Sequence, residues 1–196
     1  PGPGELGIVE ELLVDRAFVA NPQEAAMIAE LNEVKPTVPH SVSNALAAAG
    51  LALTAGVAHE ALRSAISTFT PGRHRIEKVY ESDGVTWIDD SKATNPHAAS
   101  ASIMSALSVI WVAGGLAKGA EMGELIERIK ARVRVAILIG EDRMLIADEL
   151  RQRAPHIQVE LIDSPAGYSK GGVDNSLMES VIRTAKAKAV SGDTVL

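Results

Sequence analysis

The sequence predicts an α/β fold over residues 72–196, a doubly wound and mostly parallel sheet, with a smaller unit of different character before it. Three observations carry this. Short β-branched runs alternate with amphipathic segments at intervals of about 25 residues, the rhythm of successive βα units. Apolar residues reach 46% while aromatics are only 3%, so the core must be built from Ala, Val, Ile and Leu, as buried parallel sheets are. Polar clusters follow the apolar runs at their carboxyl ends, where open parallel sheets bind ligands.

Residues 1–36 alternate strand-like runs, at 8–14, 16–19 and 27–31, with polar breaks. From His40 to Leu53 small apolar residues predict a helix, capped by Ser41 or Thr37 and ended at Ala55-Gly56. Residues 59–69 predict a second helix with Leu62, Ile66 and Phe69 on one side. Pro71-Gly72 then breaks the pattern, and a hinge over residues 71–73 is expected to divide domain 1–71 from domain 72–196. Beyond it, strands are expected at 85–88, 109–113, 133–139, 159–162 and 194–196, and helices at 96–106, 122–131, 143–153 and 175–189. Right-handed crossovers place those helices on both faces, the Rossmann-like arrangement. The loops Asp89-Asp90-Ser91, Gly114-Gly115, Gly140-Glu141-Asp142 and Asp163-Ser164 then share one rim. The chain opens at Pro1 with no Met, and Thr194-Val195-Leu196 reads as the start of a buried strand, so a piece of a longer protein is expected.

Several function classes drop out on composition. Lys and Arg total 19 against 25 Asp and Glu, a formal charge of −6, so no basic field attracts nucleic acid or an anionic membrane. The absence of cysteine excludes disulfides, thiolate metal sites and a Cys nucleophile. No apolar run has transmembrane length, and a cytoplasmic monomer is expected. His40, His59, His74, His97 and His156 lack zinc-site spacing, and no G-x-S-x-G elbow occurs. No catalytic or metal-binding residue is therefore assigned.

The remaining motifs differ in weight. Gly2-Pro3-Gly4-Glu5-Leu6-Gly7 matches G-x-G-x-x-G, but no strand precedes it and a strand follows, so it reads as a glycine loop. Gly114-Gly115-Leu116-Ala117-Lys118-Gly119 is no Walker loop; Lys118 either meets a carboxylate or phosphate or is simply solvated. Arg73-His74-Arg75 either receives an anion at the hinge or forms a solvated basic patch. Residues 89–95, Asp-Asp-Ser-Lys-Ala-Thr-Asn, are the most informative. A carboxylate there suits ribose hydroxyls, and Lys92 and Thr94 suit an anion beside a helix N-terminus. A capped loop explains Asn95 as N-cap and Pro96 at N1, but leaves Asp90, Lys92 and Thr94 unexplained. Residues 164–172 read as a flexible loop that can serve as a lid.

Taken together, His74-Arg75, then Asp90-Ser91-Lys92-Ala93-Thr94-Asn95, then Gly114-Gly115 with Lys118, resemble the C-terminal part of the Mur ligases. Within that family the string is most similar to the members that add D-glutamate. The segment from His40 also fits the family's H-N-x-x-N-A-L-A-A helix, which closes a central ATPase domain, although Ser41 stands where the first Asn is expected. The resemblance implies that residues 1–71 are the tail of that ATPase domain and that 72–196 are the substrate-binding domain.

It also implies an activity. ATP phosphorylates the carboxylate of UDP-N-acetylmuramoyl-L-alanine, the amine of D-glutamate attacks the acyl phosphate, and a tetrahedral intermediate releases phosphate. Mg2+ and a carbamylated lysine support the phosphates. By the resemblance Asn44 contacts adenine, Arg75 the nucleotide phosphates across the hinge and Asp90 the ribose. Lys92, Thr94 and Lys118 bind the D-glutamate carboxylates. The P-loop, a magnesium-binding Glu and the carbamylated lysine are expected before Pro1, so the chain alone is expected not to turn over. The alternative is a non-catalytic nucleotide or amino-acid binding module of the same fold.

Overall fold

The computed structural model describes residues 1–114, 122–163 and 175–196. Lys118 and the whole 164–172 loop lie outside the described residues. Two compact units are present, Pro1–Gly72 and Arg73–Leu196.

In the first unit β1 (Leu6–Val9), β2 (Leu12–Asp15) and β3 (Ala26–Glu30) form an antiparallel meander. The run expected at 8–14 is thus two strands, because the chain reverses at Glu10, whose φ is 52°. The run at 16–19 is not a strand either. Asp15 accepts hydrogen bonds from the N–H groups of Ala17 (2.7 Å) and Phe18 (2.9 Å), an Asx-type turn that takes the chain out of the sheet. The same carboxylate is fully buried and also lies 3.0 Å from His59 Nε2.

Helices α1 (Pro39–Thr54) and α2 (His59–Thr68) pack on the meander around Leu13, Ile28, Val42, Leu53 and Leu62. Neither proposed cap of α1 acts as one. Val38 is the N-cap, Thr37 donates instead to the Val34 carbonyl, and Ser41 lies inside the helix. Pro39 at the first position has no N–H to leave unpaired, which lessens the need for a capping side chain. Phe69 is also corrected. It follows the last residue of α2 with extended backbone and is 61% exposed, so it does not share the buried side of Leu62 and Ile66.

The second unit is a six-stranded sheet in the order β4-β5-β9-β6-β7-β8. Its elements are β4 (Glu77–Ser82), β5 (Val85–Asp89), α3 (Pro96–Ile103), β6 (Val109–Gly114), α4 (Met122–Ile129), β7 (Val133–Ile139), α5 (Arg143–Arg153), β8 (Gln158–Leu161), α6 (Asn175–Lys188) and β9 (Thr194–Val195). All neighbours pair in parallel except β4, which is antiparallel to β5. The expected α/β, doubly wound, mostly parallel sheet is what the chain builds. Alternation places Val109 and Trp111 of β6 on the face of α3, α4 and α5, and Ile110 on the face of α6.

Strand β4 was not among the expected elements. It is an edge strand whose Lys78, Val79 and Tyr80 are exposed, so no apolar periodicity marks it. It joins β5 through Asp83 (φ 55°) and Gly84 (φ 75°), the left-handed pair of a tight hairpin. The loops after β5 and β6 do not follow neighbouring strands. Instead β9 lies between them, two residues pairing with Thr86-Trp87 on one side and Val109-Ile110 on the other.

Asp193 holds β9 in register. Only 2% exposed, its carboxylate accepts from Ser108 Oγ (2.6 Å), from the N–H of Val190 (2.9 Å) and from the Arg134 guanidinium. Its carbonyl accepts from the N–H of Thr86 at 3.0 Å. Burial alone would raise the carboxyl pKa, but the bonds from Arg134, Ser108 and Val190 outweigh it and hold the group below the usual carboxylate value.

Trp87 and Trp111 are the two tryptophans and both belong to the second unit, so their fluorescence reports on it alone. Asp193→Ala is expected to lower the stability of this unit by about 2–4 kcal/mol, read as a drop in the urea midpoint of tryptophan fluorescence. The lower end applies if Arg134, itself 40% exposed, regains water. The pH sign follows from the depressed pKa. The stabilisation is complete above the unfolded value of about 3.9 and is lost as pH falls through the lower folded value. Asp193→Asn should therefore show a shallower loss of stability below about pH 4 than the parent chain.

Candidate functional site

Parallel pairing brings the carboxyl ends of β5, β6, β7 and β8 to one rim of the second unit. At β6 that end is Gly114. A Cβ there would lie 2.4 Å from the carbonyl oxygen of Ile139, so β7 leaves room for glycine only. After β7, Gly140 has φ 79° and its carbonyl accepts from Arg143, which also reaches Asp163 beyond β8 (2.5 Å).

The segment after β5 is built by local bonds. Asp89 Oδ1 accepts from the N–H of Ser91 (3.0 Å), the Asp90 carbonyl from Ala93 (2.8 Å) and the Lys92 carbonyl from Thr94 (2.9 Å). Asn95 then caps α3, its Oδ1 accepting from the N–H of Ala98 at 2.9 Å with Pro96 at the first helical position. The side chains of Lys92 and Thr94 are exposed. Among the described residues the Lys92 ammonium makes no ion pair.

A second segment, His74-Arg75-Ile76, lies against this loop. His74 has φ 65° and Ile76 φ 49°, left-handed conformations that cost a residue with a side chain roughly 1–2 kcal/mol each and that are rarest for β-branched residues. Bonds to the hairpin and the loop offset that cost. The N–H of His74 donates to Glu77 Oε2 (2.9 Å), and its Nδ1 lies 2.6 Å from Asp89 Oδ2. The N–H of Ile76 donates to Asp90 Oδ1 (3.0 Å), and the His74 carbonyl accepts from the N–H of Lys92 (3.2 Å). Asp90 Oδ2 accepts from Ser102 Oγ on α3. Burial would raise the Asp89 carboxyl, but the bonds from His74 and Ser91 hold it below its usual value.

Arg75, Asp90, Lys92 and Thr94 are thus brought onto two adjoining, mutually bonded segments. Asn44 is exposed on α1 of the first unit, and Lys118 lies outside the described residues. Asp90, expected to face a ribose, carries the Ile76 and Ser102 bonds, one on each oxygen. Each oxygen keeps a lone pair for another donor. Sequence reasoning missed the structural use of His74, Asp89 and Ser102, which lie up to 28 positions apart in the chain and carry no motif as a set. A groove of about 350 Å³ runs beside α3 and α4, lined by Asn95, His97, Ser100, Glu124 and Arg128 among others. None of the five sequence-predicted residues that the structure describes lines it.

A model of the Mur ligase glutamate ligase domain matches residues 74–196, more than half the chain. The chain belongs to the Mur ligases. Similar relatives include the UDP-N-acetylmuramoylalanine–D-glutamate ligases of Streptomyces avermitilis, 47% identical over all of this chain and 40% of that protein, and of Thermobifida fusca, 48% identical over all of this chain and 41% of that protein. The chain spans about two-fifths of the length of these curated relatives. Among solved structures, MurF from Acinetobacter baumannii shares the fold with a TM-score of 0.62 at 15% identity, over 98% of this chain and 40% of that one. A murein peptide ligase from Psychrobacter arcticus does so with a TM-score of 0.59 at 14% identity, over 97% and 39%.

Mur ligase chemistry by resemblance needs Mg2+, and the donors present do not fit it. The one group of His, Asp and Glu donors among the described residues that clusters is His74, Glu77 and Asp89, within 4.8 Å of one another. Mg2+ prefers all-oxygen octahedral sites. The imidazole is a nitrogen donor and is already bonded to Asp89.

The cap of α3 is testable without activity. Asn95→Ala is expected to cost about 0.5–2 kcal/mol and Asn95→Gly only a few tenths, measured as the urea midpoint of tryptophan fluorescence.

Proposed function

We propose that this chain is the C-terminal part of an ATP-dependent ligase that adds D-glutamate to UDP-N-acetylmuramoyl-L-alanine in peptidoglycan precursor synthesis. The observation that supports it most is the D-S-K-A-T-N segment, residues 90–95, at the carboxyl end of β5 with Lys92 and Thr94 exposed. The relatives named for this ligase, 47% and 48% identical over the whole chain, agree with it. In this reading residues 1–71 end a central ATP-binding domain and residues 72–196 bind the acceptor amino acid.

Each side chain has a chemical task. D-Glutamate carries two carboxylates, which call for cations and hydroxyls; Lys92, Thr94 and Lys118 supply them. Asn44 hydrogen-bonds adenine, Asp90 accepts from the ribose, and Arg75 meets the nucleotide phosphates. ATP converts the muramoyl-alanine carboxylate into an acyl phosphate. The D-glutamate amine attacks that carbonyl, and phosphate leaves from the tetrahedral intermediate. The contribution of this chain is positioning: both substrates are held by groups outside the bonds that form and break. In the cell this is work for the cytoplasm; among the described residues no helix is long and apolar enough to cross a membrane.

The test is an assay of the full-length protein carrying this chain for ADP release that requires both UDP-N-acetylmuramoyl-L-alanine and D-glutamate. ADP release indifferent to D-glutamate would remove the reading, and binding of both ligands without turnover would favour a non-catalytic module. Within the active protein, Lys118→Ala is expected to raise KM for D-glutamate about ten- to a hundredfold while KM for ATP moves less than about twofold. A fall in kcat with KM for D-glutamate unchanged would place Lys118 at the transferring phosphoryl group instead.

A further inference from the structure

Arg75 sits between His74 and Ile76, and its side chain makes no hydrogen bond or ion pair among the described residues. Both its neighbours are left-handed, His74 at φ 65° and Ile76 at φ 49°. Each is held by one of two consecutive carboxylates at the end of β5. Asp89 takes His74 through the imidazole at 2.6 Å, and Asp90 takes the N–H of Ile76 at 3.0 Å. Two further bonds complete the grip, from the N–H of His74 to Glu77 and from the N–H of Lys92 to the His74 carbonyl. The backbone on either side of Arg75 is therefore fixed while its side chain stays exposed.

The same bonds solve a second problem. Three carboxylates, Glu77, Asp89 and Asp90, lie on the bonded segments that flank Arg75 and could compete for its guanidinium. All three already accept from other donors. Glu77 receives the N–H of His74 and the Arg73 side chain, Asp89 receives His74 and Ser91, and Asp90 receives Ile76 and Ser102. Arg75 forms no ion pair among the described residues.

We propose that Asp89 and Asp90 are paired positioning residues for Arg75, fixing the backbone on both sides of it and leaving its guanidinium free for an external anion. This rests on the reading above in taking that anion to be the nucleotide phosphates. Asp89 is the informative member, because it touches Arg75 only through His74 and has no assigned contact with nucleotide. A fixed stem lowers the ordering cost of binding a phosphate, since less side-chain and backbone freedom remains to be lost.

The experiment is a double-mutant cycle on ATP affinity, measured by titration calorimetry with the full-length protein, so that it does not depend on turnover. Arg75→Ala should weaken ATP about ten- to a hundredfold, the loss of a charge-assisted bond to phosphate. Asp89→Ala should weaken it about three- to tenfold, and Asp89→Asn, whose one amide oxygen can still accept from His74 while the Ser91 bond is given up, should recover most of that loss. In the Arg75→Ala background Asp89→Ala should have no further effect, because its action passes through Arg75. Equal losses from Asp89→Ala in both backgrounds, or no loss from Arg75→Ala, would overturn the proposal. A protein that obeys the cycle but shows no D-glutamate-dependent turnover would overturn the functional reading and leave the positioning pair standing. General misfolding of Asp89→Ala is separated by the Asp89→Asn variant and by the tryptophan unfolding midpoint.

Discussion

The second unit depends on one buried carboxylate at the start of the strand that joins the two halves of its sheet. The β4–β5 hairpin, which carries the site segments, is joined to the rest of the sheet through β9. Thr194 and Val195 pair with both neighbours, and Leu196 bonds on to Ile110 and Val112 of β6. Asp193 fixes the chain at the start of that strand by collecting a hydroxyl, a backbone N–H and a guanidinium from three separate parts of the chain. A carboxylate taken out of water is tolerable because every donor aimed at it lowers the penalty of its charge. Asp15 plays a comparable part in the first unit, where two backbone N–H groups and His59 surround it.

The site extends the same economy of acids. Although the chain has an excess of acidic residues, Asp89 and Asp90 after β5 serve as fasteners. Asp89 and Asp90 stitch the segment before β4 to the segment after β5, and Ser102 ties that seam to α3. What remains exposed there is cationic or hydroxylic: Arg75, Lys92 and Thr94. The exposed groups of these two segments are thus mainly cationic or polar although the chain as a whole is acidic, which net charge alone would not suggest.

The parts of this arrangement that sequence revealed are those written locally. The βα alternation from Val85 onward was legible because each buried strand is a run of apolar residues ended by a polar loop. The cap at Asn95 and Pro96 was legible because the chemistry lies within four residues. Strand β4 was invisible to hydrophobic pattern because an exposed edge strand need not alternate, although Asp83-Gly84 was an available hairpin signal. The position of β9 between β5 and β6 could not be read, since strand order is settled by pairings between residues far apart. The clamp around Arg75 was hidden for the same reason: His74 and Asp89 are separated by a whole hairpin.

The location of β9 also bears on the order in which the unit assembles. The β4–β5 hairpin and the β6–β7–β8 succession use near neighbours in the chain, whereas Thr86 must wait for Thr194 before the sheet is continuous. Closing so long a loop is entropically the slowest of these events. The two halves of the sheet can therefore form early as separate pieces, and the seam at β9 closes late. By the same logic it is a natural line of transient opening in the native protein, along which the hairpin would exchange its amide protons before the β6–β7 centre does.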